Sequence, residues 1–351
     1  MEILFQGCVI RIAFFSRDLP SDCKSGVALQ VHRLANALVG RSHAVTCFSF
    51  SPRPVDACYT HKHLSKRFSG ITAKIWPAWC FRKQDKNAFD IIHFHGDDYL
   101  SNGTINRVRT FYGSAWFEFL HATSLRRKLY QLLFYFFECV SCRRRGRLVA
   151  ISNHTRKALP RISTIIPCGV DTTVFTSGKG KTVHPSILMV GFGGERKGGV
   201  ALISQFSSVV LPEFPAAVLY VVGPKKVSGT NIVWLRTVCE AELIMQYQQA
   251  WVYCMSSTYE GFGVPILEAW ACGTPVVATQ NAGACELITH NQNGLLCTPQ
   301  ALGKTLSAVI GDGVLRLRLI QNGLQSVAPY DITRIAARYE ELYAAALTPQ
   351  Q

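Results

Sequence analysis

Two glutamates separated by seven residues bracket a glycine-containing turn in the second half of the chain. The first, Glu260, comes directly before Gly261, and Gly263 follows two residues later. Glycines let the backbone turn tightly and approach a ligand closely, and Pro265 suits the first turn of a helix, where its missing N–H costs nothing. The free N–H groups and positive dipole end of such a helix bind anions. The turn therefore predicts a phosphate site.

The second glutamate, Glu268, is expected in the first turn of a helix over 265–272 that ends at Gly273. A phosphate at the start of this helix would lie between the two carboxylates, so both would face neutral hydroxyls beside it. This arrangement suits a sugar on one side and a ribose on the other. Each glutamate alone also fits a simpler role, with Glu268 stabilising the helix dipole and Glu260 exposed in a loop.

A second glycine-rich turn follows the apolar segment 187–190. Gly191 begins this turn, and Arg196 and Lys197 come just before the next expected helix. Cations beside the amides at a helix start form a diphosphate site, and arginine binds a phosphate through two hydrogen bonds. A nicotinamide dehydrogenase is the weaker alternative, because its dinucleotide fingerprint would need glycine where Arg196 stands.

Together these motifs resemble those of the retaining GT-B glycosyltransferases of family 4. The string Glu-Gly-Phe-Gly-Val-Pro-Ile-Leu-Glu-Ala at 260–269, followed by Gly-Thr-Pro-Val-Val at 273–277, resembles the family's Glu-x7-Glu signature. The segment 165–175 resembles a second family motif, with Cys168 in place of Asn. The resemblance implies an α/β protein of two Rossmann-like, doubly wound domains that face a cleft, with a C-terminal helix crossing back to the first domain.

The resemblance also implies a hexosyltransferase-type enzyme (EC 2.4). It would move a sugar from a nucleotide-diphosphate sugar of UDP or GDP type to a hydroxyl of a glycan, glycolipid or small molecule. The anomeric configuration would be retained, without a metal or cofactor. Glu260 would hold sugar hydroxyls and Glu268 the ribose, while Arg196 and Lys197 would stabilise the leaving diphosphate. The remaining donor-binding residues would be Gly26, Gly261, Phe262, Gly263 and Val264.

Two positions depart from the family pattern. Phe192 stands where the family has a basic residue after the first glycine, so we expect Arg196 to supply that charge. Tyr112 stands where the family has a histidine near the transferred sugar and the acceptor. A tyrosine donates a hydrogen bond but is not a base near neutral pH. These departures leave open a non-catalytic nucleotide-sugar-binding or partner subunit on the same fold.

Four polar side chains of the first half are candidates for contacting the acceptor. Asp97 and Asp98 end the strand segment 90–98, and the carboxyl ends of strands are where open α/β sheets bind ligands. Turn-forming aspartates are an equally good explanation. Glu118 and His121 follow Tyr112 in the chain, and we expect them near enough to substitute for the missing histidine.

A pair of histidines on the same strand raises the question of a metal site. His93 and His95 share a strand face. No third ligand stands at a suitable spacing, and the pair Cys139 and Cys142 has no partner pair. We therefore expect no metal.

The elements that must position these side chains alternate between strands and helices. A strand at 10–15, an amphipathic helix at 27–39 and a strand at 45–50 predict the opening βαβ unit of a doubly wound domain. The polar segment 177–181 is typical of a linker. An amphipathic helix at 332–346 closes the chain.

The segment 125–140 is apolar and aromatic and is flanked by basic residues. Its large apolar residues are Leu129, Leu132, Leu133, Phe134, Phe136 and Phe137, and its basic flanks are Arg126, Arg127, Lys128, Arg143, Arg144, Arg145 and Arg147. This pattern suits a helix lying on an anionic membrane surface, with contact through 125–147 at the inner face of the membrane. A core helix with solvated basic ends fits the same pattern.

Length and composition favour two domains with large cores, since 351 residues carry 48% hydrophobic side chains. We expect an acceptor-binding Rossmann-like domain over 1–168, a donor-binding one over 169–328, and a helix over 329–351 that returns to the first. The opening segment 2–7 resembles a viral-protease recognition site; it is set aside from the fold, and its origin stays open.

Charge and cysteine usage bound the partners and the compartment. The formal net charge of +15 favours anionic partners such as nucleotide-sugars or anionic lipid surfaces. We expect no nucleic-acid partner, because no helix-turn-helix, zinc-finger or RRM pattern is visible. The 13 cysteines are irregularly spaced and no signal peptide opens the chain, so we expect reduced thiols in a cytoplasmic protein. No apolar run reaches the roughly 18 residues of a membrane-spanning helix.

Overall fold

The computed structural model of the protein describes residues 9–20, 25–65, 72–122, 124–178 and 180–348. The chain forms two compact units, one made of Met1–Gly169 with Ile332–Gln351 and the other of Val170–Asp331. The segment 2–7 lies outside the described residues. Within the described ranges, no helix combines the length and the hydropathy needed to span a membrane.

In its described part, the first unit is built on a seven-stranded parallel sheet of order β3-β2-β1-β4-β5-β6-β7. The strands are β1 (Arg11–Phe15), β2 (Ala44–Ser49), β3 (Thr60–His63), β4 (Ile91–Phe94), β5 (Arg107–Phe111), β6 (Arg147–Ala150) and β7 (Thr164–Ile165). In the register, Phe14 is paired with Cys47 of β2 and with His93 of β4. Because parallel sheets are covered on both faces, their strands are rich in apolar residues.

Helices flank this sheet, and four of them begin after a serine that caps the helix. They are α1 (Gly26–Gly40), α2 (Thr72–Lys83), α3 (Ala115–Leu120), α4 (Leu125–Cys142) and α5 (Asn153–Ala158). The hydroxyls of Ser25, Ser114, Ser124 and Ser152 accept a hydrogen bond from a backbone N–H of α1, α3, α4 and α5, respectively. Such caps satisfy the N–H groups that a helix start leaves without a partner in the helix.

The apolar side of α1 packs into the core of the first unit. Val31, Leu34 and Leu38 are buried there against Ile12 of β1, as the sequence predicts. Val27, which the helical period also placed on this side, is 36% exposed. It lies in the first turn of the helix.

The second unit has a six-stranded parallel sheet of order β10-β9-β8-β11-β12-β13 among its described residues. The strands are β8 (Ser186–Val190), β9 (Val218–Val222), β10 (Ile232–Trp234), β11 (Val252–Met255), β12 (Val276–Thr279) and β13 (Leu295–Cys297). β13 lies at one edge of this sheet. The central strands β8, β11 and β12 are almost entirely buried.

Helices of the second unit cover its sheet. They are α6 (Gly199–Gln205), α7 (Leu211–Glu213), α8 (Glu240–Gln249), α9 (Val264–Ala271), α10 (Ala282–Leu287), α11 (Leu302–Gly311) and α12 (Gly313–Val327), with a π-helical turn at Phe206–Val210 joining α6 to α7. Helix α9 ends at Ala271, Cys272 is its C-cap, and Gly273 follows with φ of +66°. This left-handed residue is the helix stop that the sequence predicts.

The closing helix α13 (Ile332–Leu347) belongs to the first unit and packs against α1. Glu340 accepts hydrogen bonds from Arg41, and its Oε1 lies 2.8 Å from His43 Nε2. The Tyr343 hydroxyl is 2.7 Å from Nδ1 of the buried His93. The return of the last helix to the first unit is confirmed.

The segment 177–181, predicted to be a linker, has contacts inside the second unit instead. Lys181 Nζ donates to the Gly273 carbonyl at 3.0 Å and to the Thr274 hydroxyl at 2.9 Å. Burial lowers the pKa of Lys181 to about 8. Lys181 therefore anchors its part of the segment inside the second unit. The chain passes from the first unit to the second between Gly169 and Val170.

Candidate functional site

In the second unit, the two glycine-rich turns follow neighbouring strands. β8 and β11 pair directly, with Ile187 opposite Val252 and Leu188 opposite Tyr253. The strand after β8 lies on the far side of β8, and the strand after β11 lies on the far side of β11. The sheet therefore changes direction between β8 and β11, which is where open α/β sheets bind ligands at the carboxyl ends of their strands.

The loops after β8 and β11 are joined by hydrogen bonds. The Ser256 hydroxyl donates to the Lys197 carbonyl at 2.8 Å, and the Thr258 amide donates to the Arg196 carbonyl at 2.8 Å. Gly198 has φ of +65°, and a Cβ at this position would lie 1.9 Å from the Ser256 carbonyl oxygen. Only glycine permits so close an approach of the two loops.

The start of α9 has no side-chain cap. Its N-cap residue, Gly263, has φ of +110° and contributes no side-chain hydrogen bond to the helix. The amide of Gly283 donates to the Glu260 carbonyl at 3.0 Å and so fixes the loop from the other side. A glycine cap leaves the positive end of the helix accessible to an anion.

Glu260 and Lys197 meet between the two loops. Lys197 Nζ lies 2.6 Å from Glu260 Oε1, and the Ser257 hydroxyl donates to the same oxygen at 2.8 Å. The side chain of Lys197 is 25% exposed and that of Glu260 is 13% exposed. A partly exposed cation and a partly exposed carboxylate thus lie together, and Glu260 stands four residues before the first residue of α9.

Glu268 lies deeper than the sequence predicts. It is the fifth residue of α9, in the second turn rather than the first, because the helix already begins at Val264. Its side chain is 5% exposed, and the buried Tyr247 hydroxyl donates to Oε2 at 3.1 Å. The alternative prediction, that Glu268 stabilises the helix dipole from the first turn of α9, is therefore wrong.

Arg196 and Phe192 occupy different environments in the β8 loop. The Arg196 guanidinium carbon lies 5.7 Å from the centre of the Tyr259 ring. Phe192 is 7% exposed and packs in the core, where it would meet any side chain placed at Gly199. Phe192 is therefore a packing residue, and Arg196 and Lys197 are the cations of this loop.

The first unit repeats the same topological arrangement. β1 and β4 are neighbours in the sheet, and the strands that follow them lie on opposite sides. Gly26 is the first residue of α1, and a Cβ there would meet nothing within 4 Å. Asp97 and Asp98 follow β4, so the carboxyl ends of β1 and β4 bring these candidate residues to one edge of the sheet.

Both aspartates are held by arginines. Arg17 donates to both carboxylate oxygens of Asp97, at 2.7 and 3.1 Å, and the Asp97 backbone has φ of +54°. Burial raises the pKa of the Asp97 carboxyl, against the opposing effect of Arg17. These contacts and the left-handed backbone favour a structural role for Asp97, in addition to its predicted role in contacting the acceptor.

Asp98 is buried in a polar network. Its carboxylate accepts from Arg107 and from the Ser141 hydroxyl, the latter at 2.8 Å. Burial alone would raise the pKa of Asp98, but the charges of Arg109 and Arg107 hold it below its usual range. This network ties the β4 loop to α4, and it too favours a structural role.

Tyr112 is paired with His95, which the sequence pattern suggested only as a metal ligand. The Tyr112 hydroxyl lies 2.9 Å from His95 Nδ1. Burial raises the pKa of Tyr112 and lowers that of His95, so both are neutral near pH 7. In the described part of the chain, His95 Nε2 is one of the buried polar atoms without a hydrogen-bond partner.

Glu118 and His121 lie at the surface end of α3. Glu118 Oε2 accepts from Arg127 at 3.0 Å, and His121 Nδ1 lies 2.8 Å from the Phe117 carbonyl oxygen. The structure gives no contact between either side chain and Tyr112 among the described residues. Their predicted role as substitutes for the family histidine stays a prediction.

Several functional neighbours were missed at the sequence level. Tyr247 is 21 residues from Glu268 in the chain, so no local spacing could reveal their contact. Glu138 of α4 accepts from the Ala115 amide at 3.1 Å and the Ser114 hydroxyl at 3.0 Å, and burial raises its pKa to about 7. Ser257 stands three residues before Glu260, and this short spacing was the signal for their contact.

The histidine pair is part of the core. His93 is fully buried between the Tyr343 and Thr110 hydroxyls, and burial lowers its pKa. Among the residues that the structure describes, no group of three or more His, Cys, Asp or Glu side chains could hold a metal ion. Every cysteine in the described ranges is a free thiol.

Successive parts of the chain match two known families. Residues 24–174 match the family described as Glycosyltransferase Family 4, and residues 177–326 match Glycosyl transferases group 1. The chain is 29% identical to D-inositol 3-phosphate glycosyltransferase of Corynebacterium urealyticum over 52% of its length. It is 27% identical to phosphatidyl-myo-inositol mannosyltransferase of Mycobacterium tuberculosis over 56% of its length. The matches cover 51% and 58% of these relatives, so the chain spans about half the length of the curated relatives it matches.

Solved structures match over almost the whole chain. Sucrose-phosphate synthase of Thermosynechococcus elongatus superposes with a TM-score of 0.79 at 20% identity, covering 96% of this chain and 98% of the other. Anabaena HepE, solved with UDP and glucose, has a TM-score of 0.75 at 16% identity, covering 96% and 100%. At such identities the likeness shows the fold alone, and the predicted GT-B fold is confirmed.

Proposed function

Since the chain belongs to glycosyltransferase family 4, we propose that it is a hexosyltransferase-type enzyme. It moves a sugar from a nucleotide-diphosphate sugar, of UDP or GDP type, to a hydroxyl of a glycan, glycolipid or small-molecule acceptor. One observation carries the proposal. In the second unit, Lys197 and Glu260 meet at 2.6 Å beside the glycine-capped start of α9.

The donor diphosphate binds where the two glycine-rich loops join. The amides of 261–264 and the positive end of α9 receive it, and Lys197 and Arg196 neutralise its charge. Donor phosphate draws Lys197 away from Glu260, which frees that carboxylate to accept hydrogen bonds from sugar hydroxyls. As the glycosidic bond breaks, negative charge grows on the diphosphate, and placing cations there in advance is commonly the largest catalytic contribution.

The nucleoside is held by Glu268 through the ribose hydroxyls. Tyr247 donates to Oε2 of Glu268 at 3.1 Å, and this hydrogen bond sets the orientation of the carboxylate. Hydrogen bonds to a charged group stabilise by about 1.5–3 kcal/mol, enough to account for about 10- to 100-fold in affinity.

On the acceptor side, Tyr112 works together with His95. Because burial keeps both neutral, the Tyr112 hydroxyl donates a hydrogen bond and does not act as a base. The acceptor proton then passes to the leaving phosphate of the donor, with retention at the anomeric carbon and without a metal. Several relatives carry names with lipid acceptors, such as the phosphatidyl-myo-inositol mannosyltransferase, and these names support a lipid-linked acceptor.

The test is release of nucleoside diphosphate from a panel of UDP- and GDP-sugars, with and without glycolipid acceptors and with EDTA present. We expect turnover with one nucleotide class, unaffected by EDTA, and an anomeric proton coupling in the product that matches the donor configuration. A Lys197→Ala protein serves as the inactive control. Binding without any turnover would favour the non-catalytic subunit instead, and an inverted product would refute retention.

A further inference from the structure

The outward face of α4 carries an apolar stripe. Its four members are Leu125, Leu129, Leu132 and Phe136, which are 74%, 61%, 39% and 60% exposed. They follow one another at intervals of four, three and four residues. At 3.6 residues per turn, this spacing keeps them within about 60° of one another around the helix. The stripe is therefore continuous along the first two thirds of α4, from Leu125 to Phe136.

The opposite face of α4 is the one that packs on the first unit. Phe137 stacks on Tyr99 with ring centres 4.1 Å apart, and Ser141 donates to the buried Asp98. Glu138, on the same side, accepts from the Ala115 amide. A surface helix normally turns its apolar face to the core and its polar face to water. Here the polar contacts of Glu138 and Ser141 point inward, and the apolar stripe points outward. Packing within the first unit therefore does not account for the stripe.

Cations stand at both ends of α4. Arg126, Arg127 and Lys128 lie in the first turn of α4, and Arg143 and Arg145 follow its end as exposed residues. Arg127 also pairs with Glu118 at 3.0 Å. Beside the first turn lies a groove of about 330 Å³, lined by Ser124, Arg126, Arg127, Tyr130, Gln131 and Phe134. Two guanidinium groups beside aromatic rings suit a phosphate that lies next to apolar chains.

We propose that this face of α4 docks on an anionic lipid bilayer, with the helix lying in the interface. The apolar stripe enters the acyl boundary while the terminal arginines and lysine contact anionic headgroups. A second copy of this chain is a poorer occupant, because pairing two such faces brings like charges together at both ends. The docking goes beyond glycosyl transfer, since it concerns binding alone.

The test is co-sedimentation of the full chain with vesicles of phosphatidylglycerol and phosphatidylcholine, compared with phosphatidylcholine alone. We expect binding to the anionic vesicles that weakens with added salt. The double variant Leu129→Ser/Phe136→Ser keeps the net charge and should bind at least about tenfold more weakly. The variant Arg126→Gln/Lys128→Gln should lose roughly fivefold for each charge removed.

A matched control comes from α12, where Val314 and Leu317 are 79% and 62% exposed. The variant Val314→Ser/Leu317→Ser should bind vesicles like the wild type, and thermal melts should show all variants folded. Equal affinity of the wild type for neutral and anionic vesicles would overturn the proposal. So would a Leu129→Ser/Phe136→Ser protein that binds as tightly as the wild type, or a wild-type dimer that the same variant abolishes without vesicles.

Discussion

At the scale of residues, the two signature glutamates differ in what surrounds them. Glu260 is partly exposed and shares its Oε1 with Lys197 and Ser257, so a ligand can exchange with these partners. Glu268 is buried, and Tyr247 holds one of its oxygens. The first arrangement suits a residue that changes partner when the donor binds. The second suits a residue whose position is set beforehand.

This difference predicts different effects of two substitutions. Glu268→Ala should weaken donor affinity by about tenfold or more, because it removes hydrogen bonds made equally before and during the reaction. Lys197→Ala should mainly lower kcat, by about 100-fold or more, because its charge matters most as the diphosphate leaves. Titration calorimetry and initial rates on both variants check the assignment. Equal affinity and equal rate in the two proteins would contradict it.

A pH dependence follows from Glu138 on α4. Burial raises its pKa to about 7 from an ordinary 4.5, so the folded state binds an extra proton between these values. The stabilisation is present below about pH 4.5 and is lost as the pH rises through 7. The Tm of the wild type relative to Glu138→Gln should therefore fall between pH 5 and 8, by about 2–4 °C for each kcal/mol lost. A difference that stays constant across this range would show that Glu138 titrates as in the unfolded chain.

At the scale of elements, the candidate donor site depends on two loops that touch. Gly198 permits the contact, because a side chain there would collide with the Ser256 carbonyl. Gly198→Ala should reduce donor binding beyond detection and cost about 1–3 kcal/mol from the backbone conformation alone. Gly194, in the same loop, has open space at its Cβ position, so Gly194→Ala is the matched control and should be nearly silent. Denaturant melts and donor titrations of both proteins measure the contrast.

The sequence predicted the elements around the site to within a residue or two. The apolar segment 187–190 marked β8, and the span from Pro265 to Gly273 marked α9, because a buried strand and a glycine-stopped helix leave local signals. The prediction that Glu268 lies in the first turn of α9 was wrong, because the helix begins at Val264 and not at Pro265. The extra residue at the start places the glutamate in the second turn. Partners distant in the chain, such as Tyr247 for Glu268, leave no local signal.

The predicted roles of the first-unit residues show the same limit. That Asp97 and Asp98 come after a buried strand was readable from the pattern, but β4 already ends at Phe94 and both aspartates lie in the loop that follows it. Their arginine partners were not readable, since Arg17 and Arg107 come from other elements. Whether these side chains meet an acceptor stays a prediction.

At the scale of the whole molecule, the alternation of strands and helices predicted a doubly wound domain, and the resemblance to family 4 implied the GT-B fold and the return of the last helix. The contact that ties this helix to the first unit is testable. Arg41 Nη2 lies 2.5 Å from Glu340 Oε2. Arg41→Glu and Glu340→Arg should each destabilise the protein, and the double variant should recover about 0.5–1 kcal/mol of coupling.

Recovery in that double variant should be incomplete, since His43 also contacts Glu340 and would face an arginine. Denaturant melts of the four proteins give the coupling free energy directly. Strictly additive single effects would show that α13 is held by its apolar side alone, through residues such as Ile335 and Tyr343.

The central claim is that a nucleotide-diphosphate sugar binds at the start of α9, between the loops that carry Lys197 and Glu260. A thermal-shift panel of UDP-, GDP-, ADP- and dTDP-sugars tests it most directly, because a ligand that binds only the native state raises Tm. We predict that one nucleotide class raises the Tm of the wild type and that Glu268→Ala loses most of this shift. No shift with any of these compounds, or an equal shift in Glu268→Ala, would contradict the account.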